Sequence, residues 1–133
     1  MSWAAYTDRL VDSKVELCAI HGKDGAMWAQ APGFQCTPDE VTNVANAVAK
    51  NDQCICSSGA LVAGKRWTVI RLEPESQLII LKGKEKDNLK QTLVVALTNQ
   101  AVVMGANKDE NVQGSTVLVA VQGMRDYLKG CGY

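Results

Sequence analysis

The sequence predicts a mixed fold in which a β-sheet carries helices on both of its faces. Residues 92–97 and 101–104 are almost continuous apolar runs, and strands that are apolar on both faces need cover on both faces. A helix with strong start signals is predicted between residues 37 and 50, and two more are predicted at the ends of the chain. With 133 residues, the chain has the size of one domain, 1–133, and can bury a core without disulfides or metals.

The first two helices are predicted from their start signals and apolar spacing. Ser2 can cap a first helix of about ten residues in which Trp3, Tyr6 and Leu10 form one stripe. The segment Thr37-Pro38-Asp39-Glu40 is a capping box with proline at the first helical position. This second helix is predicted to run to about Lys50 and to stop at Asn51-Asp52.

The last segment, 114–130, carries two conflicting patterns. Its β-branched residues favour a strand, whereas Val117, Val121 and Leu128 follow a helical spacing. The length of the segment and the closing Lys129-Gly130 decide for a helix. Gly123 inside that helix costs about 1 kcal/mol relative to alanine, so close packing is expected there.

The strands are predicted from alternation and from the turn residues between them. The predicted strands are residues 15–20, 26–31, 66–72, 78–82, 92–97 and 101–104. His21 to Gly25 is predicted as the first turn, Pro32-Gly33 ends the second strand, and 82–90 reads as a hairpin loop. Strict alternation in the third strand puts Arg66, Thr68, Ile70 and Leu72 on one face and Trp67, Val69 and Arg71 on the other.

Composition excludes several classes of protein. Lys plus Arg and Asp plus Glu both total 14, so the basic excess of a dedicated nucleic-acid binder is absent. The first residues are mixed and polar, unlike a signal peptide, and no apolar run reaches the ~20 residues of a membrane span. A soluble, intracellular protein is expected, and its odd number of cysteines, five, is expected to be reduced.

The aromatic residues are concentrated at the two ends of the chain. Trp3 and Tyr6 lie in the first ten residues and Tyr127 and Tyr133 in the last ten, while Trp28 is a candidate fifth member. If the terminal helices pack side by side, these rings form one patch, and Trp3 above all is expected to contribute to packing as well. A proline-rich peptide is stiff beforehand, its rings stack on Trp and Tyr, and its carbonyls accept hydrogen bonds from indole and phenol groups. The patch therefore predicts a polyproline-binding site.

The order of elements and several short motifs resemble the profilin family over the whole chain. The motifs are Ser2-Trp3-Ala4-Ala5-Tyr6, Ala31-Pro32-Gly33-Phe34 with Thr37-Pro38, Thr68-Val69-Ile70-Arg71, Lys82-Gly83-Lys84, and Asp126-Tyr127-Leu128 with Gly132-Tyr133. The resemblance implies an α+β fold with a central antiparallel sheet. The N- and C-terminal helices would cover one face of that sheet, and the middle helix with short helical turns would cover the other.

The resemblance also implies two binding faces and no catalytic centre or cofactor. In profilins, proline-rich ligands, such as formin-like proteins, bind at the positions that match Trp3, Tyr6, Trp28, Tyr127 and Tyr133. Other positions correspond to the family's contact with monomeric actin: Arg66, Thr68, Arg71, Lys82, Lys84, Gln113 and Gly114. Overlapping basic residues would bind phosphoinositide head groups. The implied function is regulation of actin polymerisation in the cytoplasm, in association with the cytoskeleton.

Two other classes of function remain as alternatives. One is a non-actin adaptor or small-ligand sensor on a similar helix-flanked antiparallel sheet. The other is a thiol-dependent enzyme that uses Cys54 or Cys56, although no redox Cys-x-x-Cys motif is present. Cys54-Ile55-Cys56, with Cys36 and His21, lacks the two spaced ligand pairs that are usual for zinc, so no metal site is predicted.

Overall fold

The computed structural model describes residues 3–31, 34–50, 54–73, 75–86 and 88–133, which form four helices and seven strands. In chain order, the elements are α1 (Ala4–Asp12), β1 (Leu17–Gly22), β2 (Met27–Gln30), α2 (Pro38–Ala49), α3 (Cys54–Ser58), β3 (Ala60–Val62), β4 (Lys65–Glu73), β5 (Leu78–Gly83), β6 (Thr92–Leu97), β7 (Ala101–Ala106) and α4 (Gly114–Gly130). No helix of the described residues is both long and apolar enough to span a membrane.

All seven strands belong to one antiparallel sheet in the order β2-β1-β7-β6-β5-β4-β3. Most neighbouring strands of the sheet follow one another directly in the chain. The exception is β1, which also pairs along its whole length with β7, from Leu17 opposite Ala106 to Gly22 opposite Ala101. This pairing joins the first third of the chain to the last third. It therefore brings the helices that precede β1 and follow β7 over the same part of the sheet.

The sheet separates two hydrophobic layers. On one face, Tyr6 and Leu10 of α1 and Val117, Val121 and Leu128 of α4 pack on apolar side chains of β1, β5, β6 and β7. On the other face, α2 and Ile55 of α3 cover the alternate side chains of the same strands. The predicted arrangement, with both terminal helices on one face and the middle helix on the other, is confirmed.

The helix signals in the sequence correspond closely to the structure. Thr37 caps α2 through its side chain, which accepts a hydrogen bond from the Glu40 backbone N–H at 3.2 Å. Glu40 completes the capping box, because its Oε1 accepts a hydrogen bond from the Thr37 N–H at 2.8 Å. The helical assignment of 114–130 is correct, since its Val, Met and Leu stripe is the face buried on the sheet. The predicted cap Ser2 and the predicted stops Pro32-Gly33 and Asn51-Asp52 lie outside the described residues.

Two strand predictions were wrong in detail. His21 is not a turn residue, because β1 continues to Gly22 and the His21 side chain is fully buried. In β4, a bulge interrupts the pairing with β5, so that Val69 lies opposite Leu81 but Arg71 lies opposite Ile80. Residues after the bulge therefore change faces, and Arg71 shares a face with Arg66 and Thr68, contrary to the strict alternation that the sequence suggested.

Candidate ligand-binding sites

The five predicted aromatic residues form one continuous cluster, here called the aromatic patch (Trp3, Tyr6, Trp28, Tyr127 and Tyr133). The Trp3 ring lies at its centre, with ring centroids 5.4 Å from Tyr6, 4.6 Å from Trp28 and 4.8 Å from Tyr133. Tyr6 in turn lies 5.8 Å from Tyr127. Interplanar angles between 38° and 67° give tilted and edge-to-face arrangements, which suit aromatic quadrupoles.

Backbone hydrogen bonds hold the end of the chain in this cluster. The Cys131 N–H donates to the carbonyls of Tyr127 and Leu128, and Gly132, at φ +99°, takes a conformation that favours glycine. The Tyr133 N–H then donates to the Leu128 carbonyl at 3.1 Å, and its own carbonyl accepts from the Gln100 N–H at 2.9 Å. Tyr133 is thereby tied to the β6–β7 turn, beside Trp3.

The members of the patch are not equally exposed. Tyr127 is 41% exposed, Trp3, Trp28 and Tyr133 are half-buried, and Tyr6 is only 8% exposed and belongs to the core under the terminal helices. Tyr6 is thus the most deeply buried member of the patch, and Trp3 packs against Tyr6, Trp28 and Tyr133. Desolvation, with a further contribution from the nearby Tyr127 phenol, raises the pKa of Tyr6 above its ordinary value. Its hydroxyl remains a protonated donor at neutral pH.

Arg9 adjoins the patch and was missed at the level of the sequence. Its guanidinium carbon lies 5.1 Å from the centre of the Tyr127 ring, a cation–π contact. Arg9 follows Tyr6 by three residues on α1, so it lies beside the stripe formed by Trp3, Tyr6 and Leu10. The signal was present, but a lone arginine on a helix is ordinarily a solvated side chain.

The seven residues predicted for the second site lie along one continuous surface, here called the basic face (Arg66, Thr68, Arg71, Lys82, Lys84, Gln113 and Gly114). Thr68 pairs with Lys82, and Lys82 pairs with Thr92 on the next strand. A Cβ on Gly114 would lie 3.0 Å from the Thr92 Oγ1, so the start of α4 continues this row. The bulge in β4 brings Arg71 to the same side.

A short loop fixes the edge of the basic face. The Lys84 N–H donates to the Arg66 carbonyl at 3.1 Å, and the Asn88 side chain donates to the same carbonyl at 3.2 Å. The Glu85 carboxylate accepts a hydrogen bond from the Arg66 N–H at 2.6 Å. Arg66, Arg71, Lys82 and Lys84 remain exposed, and only Arg71 among them has a recorded ion pair in the described part of the chain, at 3.4 Å from Glu73. The surface therefore carries an excess of positive charge.

Gly123 does not have the role that the sequence suggested. A Cβ added there would meet no atom within 4 Å, so internal close packing does not explain the glycine. Gly105 in β7 does have that role, since a Cβ there would lie 2.5 Å from Val15 and 2.7 Å from Val121. The close approach occurs where α4 and the end of the α1–β1 connection meet the sheet.

The cysteine thiols differ in burial. Burial raises the pKa of Cys18 and of Cys36 to about 12, so neither is a thiolate at neutral pH. Cys18 is buried, whereas Cys54, Cys56 and Cys131 are exposed. Among the described residues, no group of three or more His, Cys, Asp or Glu side chains could hold a metal ion.

An antiparallel sheet covered by helices on both faces, with an exposed aromatic patch and a separate basic face, defines a small binding module. Comparison with known proteins identifies its class. A family model described as Profilin matches residues 1–133. Profilin-1 of Dictyostelium discoideum is 33% identical over 135 residues, with 100% of both chains covered. The crystal structure of Acanthamoeba castellanii profilin II matches with a TM-score of 0.86 at 32% identity and covers 99% of this chain and 100% of its own. The chain belongs to the profilin family.

Two structures of complexes share the fold at lower identity. Mouse profilin IIa in complex with a double repeat from the FH1 domain of mDia1 matches with a TM-score of 0.85 at 24% identity, with 100% of both chains covered. The LokiProfilin2 and rabbit actin complex matches with a TM-score of 0.74 at 13% identity, with 98% of both chains covered. At these identities, the likeness establishes a common fold.

Proposed function

We propose that this chain is an actin-monomer-binding protein that also binds proline-rich segments and thereby regulates actin polymerisation. The observation that carries the proposal is the aromatic patch, in which rings from α1, β2 and the end of α4 lie side by side at the surface. Family membership and the recorded complexes of two relatives, one with an FH1 repeat and one with actin, support it. The function is binding, with no catalytic step.

The aromatic patch suits a polyproline II ligand for physical reasons. Such a peptide has no internal hydrogen bonds and loses little entropy on binding, so flat rings and a few donors suffice to hold it. The indole N–H groups of Trp3 and Trp28 and the phenol groups of Tyr127 and Tyr133 are the donors that such a peptide requires. Because Tyr6 is nearly buried, its main contribution is to support the rings of Trp3 and Tyr127.

A proline decamer tests this site directly. Trp3→Ala removes the central ring and is expected to abolish binding, a loss of at least ~2 kcal/mol if Trp3 behaves as a central interface residue. Leu61→Ala is the matched control, because Leu61 is an exposed apolar residue on β3, at the opposite edge of the sheet from β2. Intrinsic tryptophan fluorescence and calorimetry would report binding. Unchanged fluorescence of the wild-type protein on addition of the decamer would refute the site.

The basic face is the proposed contact with monomeric actin. Its exposed cations on β4 and β5, together with Gln113 and Gly114 at the start of α4, form one surface that can meet an acidic protein. The β4 bulge is the feature that supports this assignment, since it adds Arg71 to the surface. Phosphoinositide head groups are a second proposed ligand of the same cations, and a cytoplasmic, cytoskeleton-associated location follows from these partners.

Charge reversal tests the basic face. Arg71→Glu combined with Lys82→Glu is expected to reduce recovery of monomeric actin in a pull-down, because both changes place repulsive charges at the contact. Lys50→Glu, an exposed reversal at the end of α2 on the other face of the sheet, is the matched control. Equal recovery of actin by the double variant and the wild type would exclude this face. If the proline decamer binds but actin does not, the protein is an adaptor for proline-rich ligands only.

A further inference from the structure

The groove between α1 and α4 continues beyond the aromatic patch. A hollow of about 270 Å³ lies between the two helices, and its lining includes Arg9, Ser13, Val119, Gly123 and Tyr127. A second hollow of about 370 Å³ shares Ser13 and Val119 and extends to the start of α4. Tyr127 belongs to both the aromatic patch and this groove, so the two surfaces meet at Tyr127.

Gly123 is the feature of this groove that needs an explanation. A glycine in the middle of a helix costs about 1 kcal/mol relative to alanine, and the described residues place no atom close enough to exclude a methyl group there. The missing side chain leaves the backbone of α4 open on the groove side. Glycine at such a position is suited to close approach of another chain. Val119, one turn before it, is an aliphatic side chain that is 70% exposed.

Arg9 gives the groove a charge at the end nearest the patch. Its guanidinium packs on the Tyr127 ring at 5.1 Å, and no ion pair of Arg9 is recorded in the described part of the chain. A guanidinium that stacks on a ring still presents N–H groups at its edge, and these match the geometry of a carboxylate. The groove therefore offers a cation at Arg9 and then a mixed lining in which Val119 and Ala120 are the apolar groups shared by both hollows.

We propose that this groove binds the residues that flank the proline-rich core of a ligand, with a carboxylate at Arg9 and an aliphatic side chain over Gly123. The proposal rests on the proposed binding of proline-rich segments at the aromatic patch and specifies which of them bind best. Val119 and Tyr127 are eight positions apart on α4, which corresponds to about 12 Å of helix at 1.5 Å per residue. An extended chain that rises about 3.1 Å per residue covers this distance with about four residues.

The test compares a proline decamer with decamers that carry a four-residue Glu-Leu-Ala-Leu extension, placed in this order from the proline core at either end. Calorimetry is expected to show that one of the two extended peptides binds the wild-type protein about threefold or more tightly than the decamer, a gain that an exposed ion pair and a partly buried aliphatic side chain supply. Replacing Glu with Lys in that peptide is expected to remove most of the gain. Raising the ionic strength is expected to reduce it.

Two variants locate the gain, and the readout is the ratio of the affinities for extended and plain peptide within each protein. Gly123→Leu fills the groove and Arg9→Gln removes the cation, so both are expected to bring this ratio close to one. Gly130→Leu, the same change in the last turn of α4 at a position that does not line the groove, is expected to keep the wild-type ratio. If the decamer binds but neither extension improves affinity, or if the gain persists in Gly123→Leu, the groove proposal is overturned and the aromatic patch still stands. If the decamer itself does not bind, the proposed function fails and the groove proposal fails with it.

Discussion

Gly105→Ala is the substitution that most directly tests how the sheet positions the terminal helices. Gly105 lies in β7 opposite Cys18 of β1 and Val94 of β6, on the face covered by α1 and α4. A Cβ there would be 2.5 Å from the Val15 Cγ1 and 2.7 Å from the Val121 Cγ2, and both valines are fully buried. Carbon atoms pack at about 3.5–4.0 Å, so each valine must move by about 1 Å or more.

The expected change in stability follows from two opposing effects. Overpacking of a dense core costs about 1–3 kcal/mol. Alanine in a strand recovers roughly 0.5–1 kcal/mol relative to glycine. The midpoints of these two ranges differ by about 1 kcal/mol, so the variant is expected to be less stable by about that amount. Because Val121 is part of α4 and Val15 follows α1, the displacement reaches the helices that carry Tyr6 and Tyr127, and weaker binding of a proline decamer is expected with the fold retained.

The assay is urea denaturation at 25 °C followed by far-ultraviolet circular dichroism, together with calorimetric titration of the decamer. Gly123→Ala is the matched control, because the same methyl group enters open space in α4. This control is expected to raise the free energy of unfolding by up to about 1 kcal/mol through helix propensity alone. The reasoning is refuted if Gly105→Ala is as stable as the wild type, or if the two substitutions change stability in the same direction.

Three further predictions concern single buried groups. Glu40→Gln is expected to lower the free energy of unfolding by about 1–3 kcal/mol in urea titration. The reason is that both carboxylate oxygens of Glu40 accept hydrogen bonds, Oε2 from the Gly64 N–H at 2.9 Å and Oε1 from the Thr37 N–H. An unchanged midpoint of the urea titration would contradict this. Burial lowers the pKa of His21 below 6.5. Below that pH the unfolded chain binds a proton that the folded chain does not, so the free energy of unfolding is expected to decrease as the pH is lowered from 6.5. His21→Asn should remove that part of the pH dependence, and equal slopes for the two proteins would refute the assignment. Cys131 is exposed and is expected to react with a thiol reagent at pH 7 under native conditions. Cys18 is expected to be protected, since burial raises the pKa of Cys18 to about 12. Equal labelling of the two cysteines in peptide mass spectrometry would contradict this prediction.

The sequence by itself determined the features that depend on local chemistry. The capping box at Thr37 and Glu40 fixed the start of α2, because both hydrogen bonds form within one turn. The spacing of Val117, Val121 and Leu128 determined α4, because a helix of this length must bury a stripe. Apolar runs on both faces of β6 and β7 required cover on both faces of the sheet. The aromatic residues at the two ends indicated a candidate patch, on the condition that the terminal helices pack side by side.

Only the tertiary structure decided the features that depend on pairing between distant segments. The bulge opposite Leu81 and Ile80 moves Arg71 onto the basic face, and strict alternation along β4 could not reveal it, because a bulge is a property of two paired strands. Pairing of β1 with β7 places Tyr133 within 4.8 Å of Trp3, although nearly the whole chain separates them. Gly105 and Gly123 also show which properties the sequence determines and which the tertiary structure determines. A sequence indicates that Gly105 and Gly123 lack a side chain, but only the packing shows that one is crowded and the other is open.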